Sequence, residues 1–548
     1  MYLEGHSNLK DAEKSASVNA ENLSQPVVDM IAADDNPDYL EGTPFWLVTI
    51  ALAVQVFIVN LEIPVVTTSL LAIIVDLGGF DKLSWVISSY LLGYVAVIVI
   101  FAKLSDIFGR KPVFILSTTL FIIFSAACSA SQTITQLIVF RAFQGIGGGG
   151  CFSLSQVIIT DLVPSDSYSK YVSQLSIVSS LALLLGPILG GAISSHTTWR
   201  WIFIINVPVS IIPLTFTVLG MPRNFGFRGR PIDLKNNLKS TSARVDGLGT
   251  LLLLFAVLSL TAGFEEAGSE FPWKSAYVIT LLVLSAAIWI ALIWWERRVT
   301  SEDSIREPVL PWRFFTNRVM IGALLGLLFL GGPIIVSIFQ LPEKYQLVYQ
   351  LSGLDAGVRL IPFSLSVPFG TGLASGIGNR LKIPAIFILL VGSSLQVVGF
   401  TLLATLPDRL DIPPQMYGFE IIAGFGCGMN FTPLFLVITR AVEPRDQAVG
   451  LGAGNQFRLI GSAIVIAIST SIFNSYIQPE LANLLDDSPG IDPLELGQAL
   501  RSLPFDRQSA LRGILSQGYR RQMIVLAASA AAQIPSSFLL WKERQIMI

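Results

Sequence analysis

Fourteen stretches of about twenty mostly apolar residues run through this chain, and they decide most of what it can fold into. They fall at about 45–68, 83–102, 113–131, 135–158, 173–194, 201–220, 247–264, 275–295, 319–340, 356–378, 383–406, 416–439, 450–472 and 523–541. A helix of that length crosses a hydrocarbon core of roughly 30 Å. Backbone facing lipid must satisfy its own hydrogen bonds, so runs this long read as helices rather than barrel strands. Two windows are interrupted: the fifth by Ser176, Ser179 and Ser180, the tenth by Pro362 and Pro368. Composition agrees, with 52% hydrophobic and only 14% charged residues over 548 positions. Soluble chains average roughly 25% charged, so this one cannot cover itself with polar surface. The expectation is an all-α polytopic membrane protein.

Several function classes drop out. A net charge of −2 offers no broad basic face for nucleic acid. Cys128, Cys151 and Cys427 all lie in apolar stretches, which argues against a disulfide framework or a zinc site. His6 and His196 are the only histidines, too few for a His-rich metal centre, and no Gly-Lys dipeptide offers a phosphate-binding loop. No nucleophile–base constellation stands out, so no enzyme, cofactor or metal is expected.

Charge placement sets the orientation. With the N-terminus inside, the short loops on that side carry roughly threefold more Lys and Arg, among them Lys103, Arg110, Lys111, Arg244, Arg380 and Arg440, than the opposite loops with Lys82, Arg200 and Lys274. Both termini are therefore expected in the cytoplasm. Residues 1–43 read as a solvated, disordered cytoplasmic tail rather than a cleaved signal peptide. Residues 222–246 read as a cytoplasmic loop, 299–318 as a cytoplasmic linker, 473–522 as an extracellular loop and 542–548 as a cytoplasmic tail. Within the long outer loop, Leu494–Gly518 spaces apolar residues among charges; it reads as a solvated loop or as a short amphipathic helix on the membrane surface.

The chain also repeats itself. Arg141-Ala-Phe-Gln-Gly-Ile-Gly-Gly-Gly in the fourth window matches Glu420-Ile-Ile-Ala-Gly-Phe-Gly-Cys-Gly in the twelfth, with Gly145, Gly147 and Gly149 in register with Gly424, Gly426 and Gly428. A worn copy of Ser105-Asp-Ile-Phe-Gly-Arg-Lys follows the tenth window around Gly378-Asn379-Arg380. Two matches in the same order imply a six-helix half over 44–221, two inserted helices over 247–298, and a second six-helix half over 319–541. Parallel halves of this kind place a substrate site at the midplane between them.

These residues resemble the major facilitator superfamily, in particular its fourteen-helix drug:proton antiporter branch as found in fungi. Lys103-Leu-Ser-Asp-Ile-Phe-Gly-Arg-Lys resembles the signature loop between helices two and three, with Ala102 where a glycine is usual. Leu137-Ile-Val-Phe-Arg-Ala-Phe-Gln-Gly-Ile-Gly-Gly-Gly resembles the fourth-helix motif with its buried arginine. Gly186-Pro-Ile-Leu-Gly-Gly resembles the exporter motif of helix five, with Ala182 replacing its leading glycine, and Trp199-Arg-Trp-Ile-Phe-Ile-Ile-Asn-Val-Pro is similar to the segment opening helix six. In Phe57-Ile-Val-Asn-Leu-Glu-Ile-Pro, Glu62 stands where the pattern normally carries aspartate. The resemblance spans about 45–541 and implies the major facilitator fold with two six-helix halves plus two inserted helices.

Candidate site residues follow. Glu62 lies near the bilayer middle, where a charge costs roughly 2.5–3.5 kcal/mol, so it should face the interior and find a partner. Arg141 at similar depth is that partner, with Asn60, Gln55 and Gln144 as hydrogen-bonding neighbours, and the group is expected to exchange a proton against substrate. Asp106, Gly109, Arg110 and Lys111 suit a cytoplasmic gate, in which Asp106 caps a helix of the other half and Arg110 pairs with a carboxylate when the cytoplasmic side closes. Gly186, Pro187, Gly190 and Gly191 suit an antiporter hinge. Arg359 and Arg458 lie at or within spans of the second half; Arg458 has only Glu420 as a span-embedded acidic candidate, and its role in folding or in substrate charge recognition stays open. The expected function is proton-coupled efflux of amphipathic small molecules by alternating access, from a monomer in the plasma membrane, with small-molecule substrate, protons and the lipid bilayer as partners. The alternative is a carrier of the same fold for uptake or vacuolar sequestration of amino acids or siderophores.

Overall fold

A computed structural model of the chain describes residues 39–78, 82–222, 225, 243–268, 271–301, 306–407, 410–484, 505–542 and 545–546. Most of the predicted tail, most of the loop after the sixth window and residues 485–504 lie outside the described residues. Within them the protein is helical, with only two isolated β-bridges, Val245–Glu307 and Ala267–Phe271.

The first half contains α1 (Gly42–Leu77), α2 (Leu83–Ala96), α3 (Ile98–Phe108), α4 (Arg110–Ser129), α5 (Ile134–Leu162), α6 (Ser165–His196), α7 (Arg200–Ile204) and α8 (Asn206–Gly220). Next come α9 (Gly247–Glu266), α10 (Ala276–Ser301) and the short α11 (Trp312–Thr316). The second half contains α12 (Arg318–Leu347), α13 (Gly353–Arg359), α14 (Ile361–Leu381), α15 (Ala385–Ala404), α16 (Gln415–Ala441), α17 (Gln447–Leu484) and α18 (Phe505–Phe538). Every predicted window falls on a helix. Among the described residues, twelve helices are long and apolar enough to cross a membrane, or thirteen if α2 and α3, bent by 41° about Val97, form one span. The interrupted fifth and tenth windows pass that test. The last window does not; it lies on α18, whose N-terminal part carries Asp506, Arg507, Arg512, Arg520 and Arg521.

The outer loop departs from its expected form. Residues 473–484 continue α17, and 505–522 begin α18 with Leu511, Leu515 and Tyr519 buried. Both helices run past their apolar windows and pack on each other, because their apolar faces continue past the last fully apolar turn.

Packing repeats with the sequence. In the first half α1 packs on α6 and α8, α5 on α2 and α4, and α4 on α8; in the second, α12 packs on α17 and α18, α16 on α14 and α15, and α15 on α18. The matched glycines explain the register. A Cβ on Gly145 or Gly149 would strike the Tyr90 or Tyr94 carbonyl of α2, and one on Gly147 would strike Phe121 of α4. A Cβ on Gly424 or Gly428 would likewise strike the Phe363 or Val367 carbonyl of α14, and one on Gly426 would strike α15 at Gln396. Small residues let backbones approach where apolar burial alone gives helices little reason to associate.

The halves meet along two seams. At one, α6 packs on α14, and Ser180 Oγ donates to the Ser364 carbonyl at 3.3 Å. At the other, α3 packs on α17, and Gln456 Nε2 donates to the Val95 carbonyl at 3.2 Å. Here Ala102, the departure from the usual glycine, faces Gly452, on which a Cβ would come within 2.9 Å of the Ala102 methyl. The pair α9–α10 packs on itself and lays α9 against α2 and α17. Its base is tied to the linker: Glu296 Oε1 accepts the backbone N–H groups of Val309 and Leu310 at 3.2 Å each, and Glu307 binds Lys103 at 2.8 Å and also Arg244.

Candidate functional site

Glu62 sits on α1, 2% exposed, at the centre of a buried hydrogen-bond network. Its Oε1 accepts from Arg141 Nη1 at 2.5 Å and from Gln144 Nε2 at 2.9 Å; its Oε2 accepts from Asn206 Nδ2 at 2.6 Å. Arg141 and Gln144 are one turn apart on α5, so both reach the same carboxylate. Arg141 Nη1 also donates to Gln144 Oε1 at 2.9 Å, its Nε donates to the Val86 carbonyl at 3.1 Å, and Gln144 Nε2 donates to Ser125 Oγ at 2.8 Å. The guanidinium lies 4.3 Å from the Tyr90 ring centroid and 5.6 Å from that of Phe203, within cation–π range. Two ions leave water here, and the pair is sustained by these extra bonds rather than by Coulomb attraction alone.

A separate cavity of about 200 Å³ opens between the halves. Val59, Asn60 and Ile63 of α1 line it, while Leu61, Glu62 and Val65 turn toward a pocket of only about 20 Å³ on the opposite side of the helix. The five residues expected to share one site are thus divided. Glu62, Arg141 and Gln144 form the network; Asn60 lines the cavity, with its Nδ2 donating to the Val56 carbonyl at 2.8 Å and to Ser179 Oγ at 3.5 Å; Gln55 is buried on α1 and belongs to neither set of linings. Helical geometry is the reason, since residues two apart point to nearly opposite faces. Aromatic rings bridge the two places: Tyr90 under Arg141 stacks on Tyr94 at 5.9 Å, and Tyr94 lines the cavity and packs on Phe152 at 5.8 Å.

The gate residues pair within their own half. Arg110 binds Asp106 at 2.6 Å and Asp161 of α5 at 2.8 Å; among the described residues Asp106 caps no helix of the second half, and its Oδ2 has no hydrogen-bond partner. Gly109 adopts φ +99°, a turn that a side chain would strain, and thereby points Arg110 back at Asp106. Lys111 Nζ donates to the Val218 and Met221 carbonyls at the end of α8, at 2.8 and 2.5 Å. The tie from this signature to the linker comes instead from Lys103, through Glu307. Burial would raise the Glu307 carboxyl, but Lys103 and Arg244 outweigh it and hold the group down at about 2.

The glycines of α6 divide in the same manner. A Cβ on Gly186 would strike Pro64 and one on Gly190 would strike Thr68 and Val65, whereas one on Gly191 would meet nothing within 4 Å. Pro187 lies inside a continuous α6. The motif presses α6 onto α1 within a turn or two of Glu62.

Sequence reasoning missed three participants. Asn206 was visible as a polar residue inside the sixth window, before Val-Pro, and turns out to hold the second Glu62 oxygen. Trp199 donates Nε1 to Asp76 at 3.0 Å, beside the Arg200–Asp76 pair at 2.5 Å, which anchors the helix-six motif to α1. Glu265, one residue past the seventh window, lines the cavity and accepts from Ser88 Oγ at 2.9 Å. Arg359 binds the Tyr417 hydroxyl, and Glu420 accepts from the Tyr345 hydroxyl at 2.7 Å rather than meeting Arg458, which faces the cavity.

The profile described as Major Facilitator Superfamily matches residues 45–265 and 245–466. The chain is 35% identical over 521 residues to the MFS-type transporter FPY5 of Fusarium mangiferae, covering 94% of this chain and 87% of that protein. It is 31% identical to the efflux pump dotC of Dothistroma septosporum (91% and 85% covered) and 30% identical to multidrug resistance protein 3 of Bacillus subtilis (80% and 81%). Among solved structures, a bacterial homolog of the human lysosomal transporter Spinster, inward-facing and unoccupied, superposes with TM-score 0.58 at 17% identity over 92% of this chain and all of that one. The xylose transporter XylE from E. coli, partially occluded and inward open, gives 0.51 at 13% identity over 92% and 98%. With its two seams, its repeated glycine packing and these likenesses, the chain belongs to the Major Facilitator Superfamily: a multi-pass membrane transporter, not an enzyme.

Proposed function

We propose that the protein exports amphipathic small molecules in exchange for protons by alternating access, with Glu62 as the proton-carrying group. The observation that carries this reading is the buried Glu62 carboxylate, held by Arg141, Gln144 and Asn206 and linked through Tyr90 and Tyr94 to the wall of an apolar cavity. A proton-exchanging carboxylate needs opposed influences, burial against a cation, so that a nearby event tips the balance. Substrate in the cavity meets Tyr94, and Tyr94 meets the ring beneath Arg141. The relatives named efflux pumps support the outward direction. The proposal includes fourteen spans divided as 44–221, 247–298 and 319–541, both termini in the cytoplasm, a plasma-membrane location and a monomer. Asp106, Gly109, Arg110 and Lys111 act in it as the cytoplasmic gate and Gly186, Pro187, Gly190 and Gly191 as the hinge. One proton moved through about 100 mV supplies roughly 2.3 kcal/mol, and one pH unit adds about 1.36. Together they support a gradient of several hundred-fold.

The test is proton release from proteoliposomes, followed with a pH-sensitive dye, while a panel of amphipathic compounds is applied. Compounds that evoke a signal should lose it in Glu62→Gln while still exchanging down their own gradients. Unchanged proton release in Glu62→Gln overturns the assignment.

A further inference from the structure

The cavity between the halves contains a buried cation, Arg458, that forms no ion pair among the described residues. Arg458, on α17, is 5% exposed and lines the cavity wall. Its guanidinium carbon lies 6.0 Å from the Phe152 ring centroid on α5 and 5.7 Å from that of Phe431 on α16, one ring from each half. Among the described residues its side chain makes no hydrogen bond or ion pair, and its buried Nε has no acceptor. Glu265 lines the same cavity but accepts from Ser88, and no ion pair joins it to Arg458. Glu420 is engaged by Tyr345. Much of the remaining wall is apolar, with Leu91, Leu92, Ile335, Ile338 and Phe339. An unpaired buried charge is costly, and a planar guanidinium is built to take a carboxylate with two parallel bonds. Aromatic packing orients the group without supplying an acceptor.

We propose that Arg458 receives the carboxylate of the transported molecule, so that the substrates are amphipathic organic acids whose apolar body fills the cavity of about 200 Å³. This rests on the cavity being the transport site, and it adds the charge class.

Calorimetric titration of the full-length protein in nanodiscs at pH 7 tests it with three probes sharing one aromatic body. These are 1-naphthylacetate, its neutral amide and the cationic 1-naphthylethylammonium. The acid should bind at least about tenfold tighter than the amide, with the cation weakest. Arg458→Gln should bring acid and amide within about twofold. Should Arg458→Gln fail to fold, Arg458→Lys reads the same point, because losing the planar fork should weaken the acid selectively and leave the amide unchanged. Equal binding of acid and amide, binding of none of the probes, or a preference that survives removal of the guanidinium overturns the proposal. Ala463→Trp, which fills the cavity, separates the two failures. If it abolishes equal binding of acid and amide, only the charge assignment is wrong. If an acid preference survives it, the cavity is not the site.

Discussion

Arg141 and Glu420 hold the same place in the two repeats, each four residues before the first of three packing glycines, yet the repeats use that place in opposite ways. In the first half the position bears a cation that meets a carboxylate on α1, with Gln144 and Asn206 completing the shell. In the second it bears a carboxylate that meets a neutral hydroxyl, Tyr345 on α12, and the deeper polar contacts of that half are amides: Asn430 Nδ2 donates to Gln533 Oε1 at 2.8 Å and Gln533 Nε2 to Gln396 Oε1 at 2.9 Å. The glycines fix how close the helices come, so they are retained; the residue one turn away is free to change sign. In the first half this place serves a buried ion pair; in the second it serves a carboxylate–hydroxyl bond beside a cluster of amides.

The largest contrast should come from removing the cation. Arg141→Met strands Glu62 in the interior and should cost about 3–5 kcal/mol in thermal unfolding of the purified protein. Glu420→Gln at the matched position keeps a bond to Tyr345 and should cost less than about 1 kcal/mol. Equal losses would mean that the halves do not differ in the way described. Next come the glycines on α6. Gly186→Ala drives a methyl into Pro64 and should cost about 1–3 kcal/mol, whereas Gly191→Ala faces open space and should stay within about 0.5 kcal/mol. A Gly191→Ala variant as unstable as Gly186→Ala would assign the whole motif to packing.

A third contrast concerns the clasp between Lys103, Arg244 and Glu307. A carboxyl held at about 2 lies below its unfolded value, so its contribution is fully present above roughly pH 4.3 and is lost only as pH falls through about 2. Glu307→Gln leaves the buried Lys103 without its carboxylate and should lower stability by about 1–2 kcal/mol. That deficit should be the same at pH 5 and pH 8. A deficit that shrinks across this range would show that the clasp titrates with the proton cycle.

How much of this was legible follows from what encodes it. Apolar length and glycine register are local properties, so the helices, the repeat and the Glu62–Arg141 pair could all be read from the chain. The division of Asn60 from Glu62 was within reach of helix geometry, but which face met the other half required the packing partners. Glu265 escaped notice because it lies one residue past the seventh window; only the placement of α9 against α2 and α17 brings it to the cavity. The outer helix was half legible: apolar residues spaced among charges allowed a helix or a solvated loop, and the burial of Leu511, Leu515 and Tyr519 against neighbouring helices, which decides between them, is a tertiary property.

The seam at Ala102 gives the missing signature glycine another meaning. Because Gly452 lies opposite, the clearance between α3 and α17 is a property of two positions added together, one in each half. The methyl group on α3 is accommodated by the bare backbone on α17, where a Cβ would meet both that methyl and the Val99 Cα at 3.3 Å. Such a seam is a matter of combined thickness rather than of one residue, and a motif that covers one helix at a time registers a loss where the facing helix supplies the room.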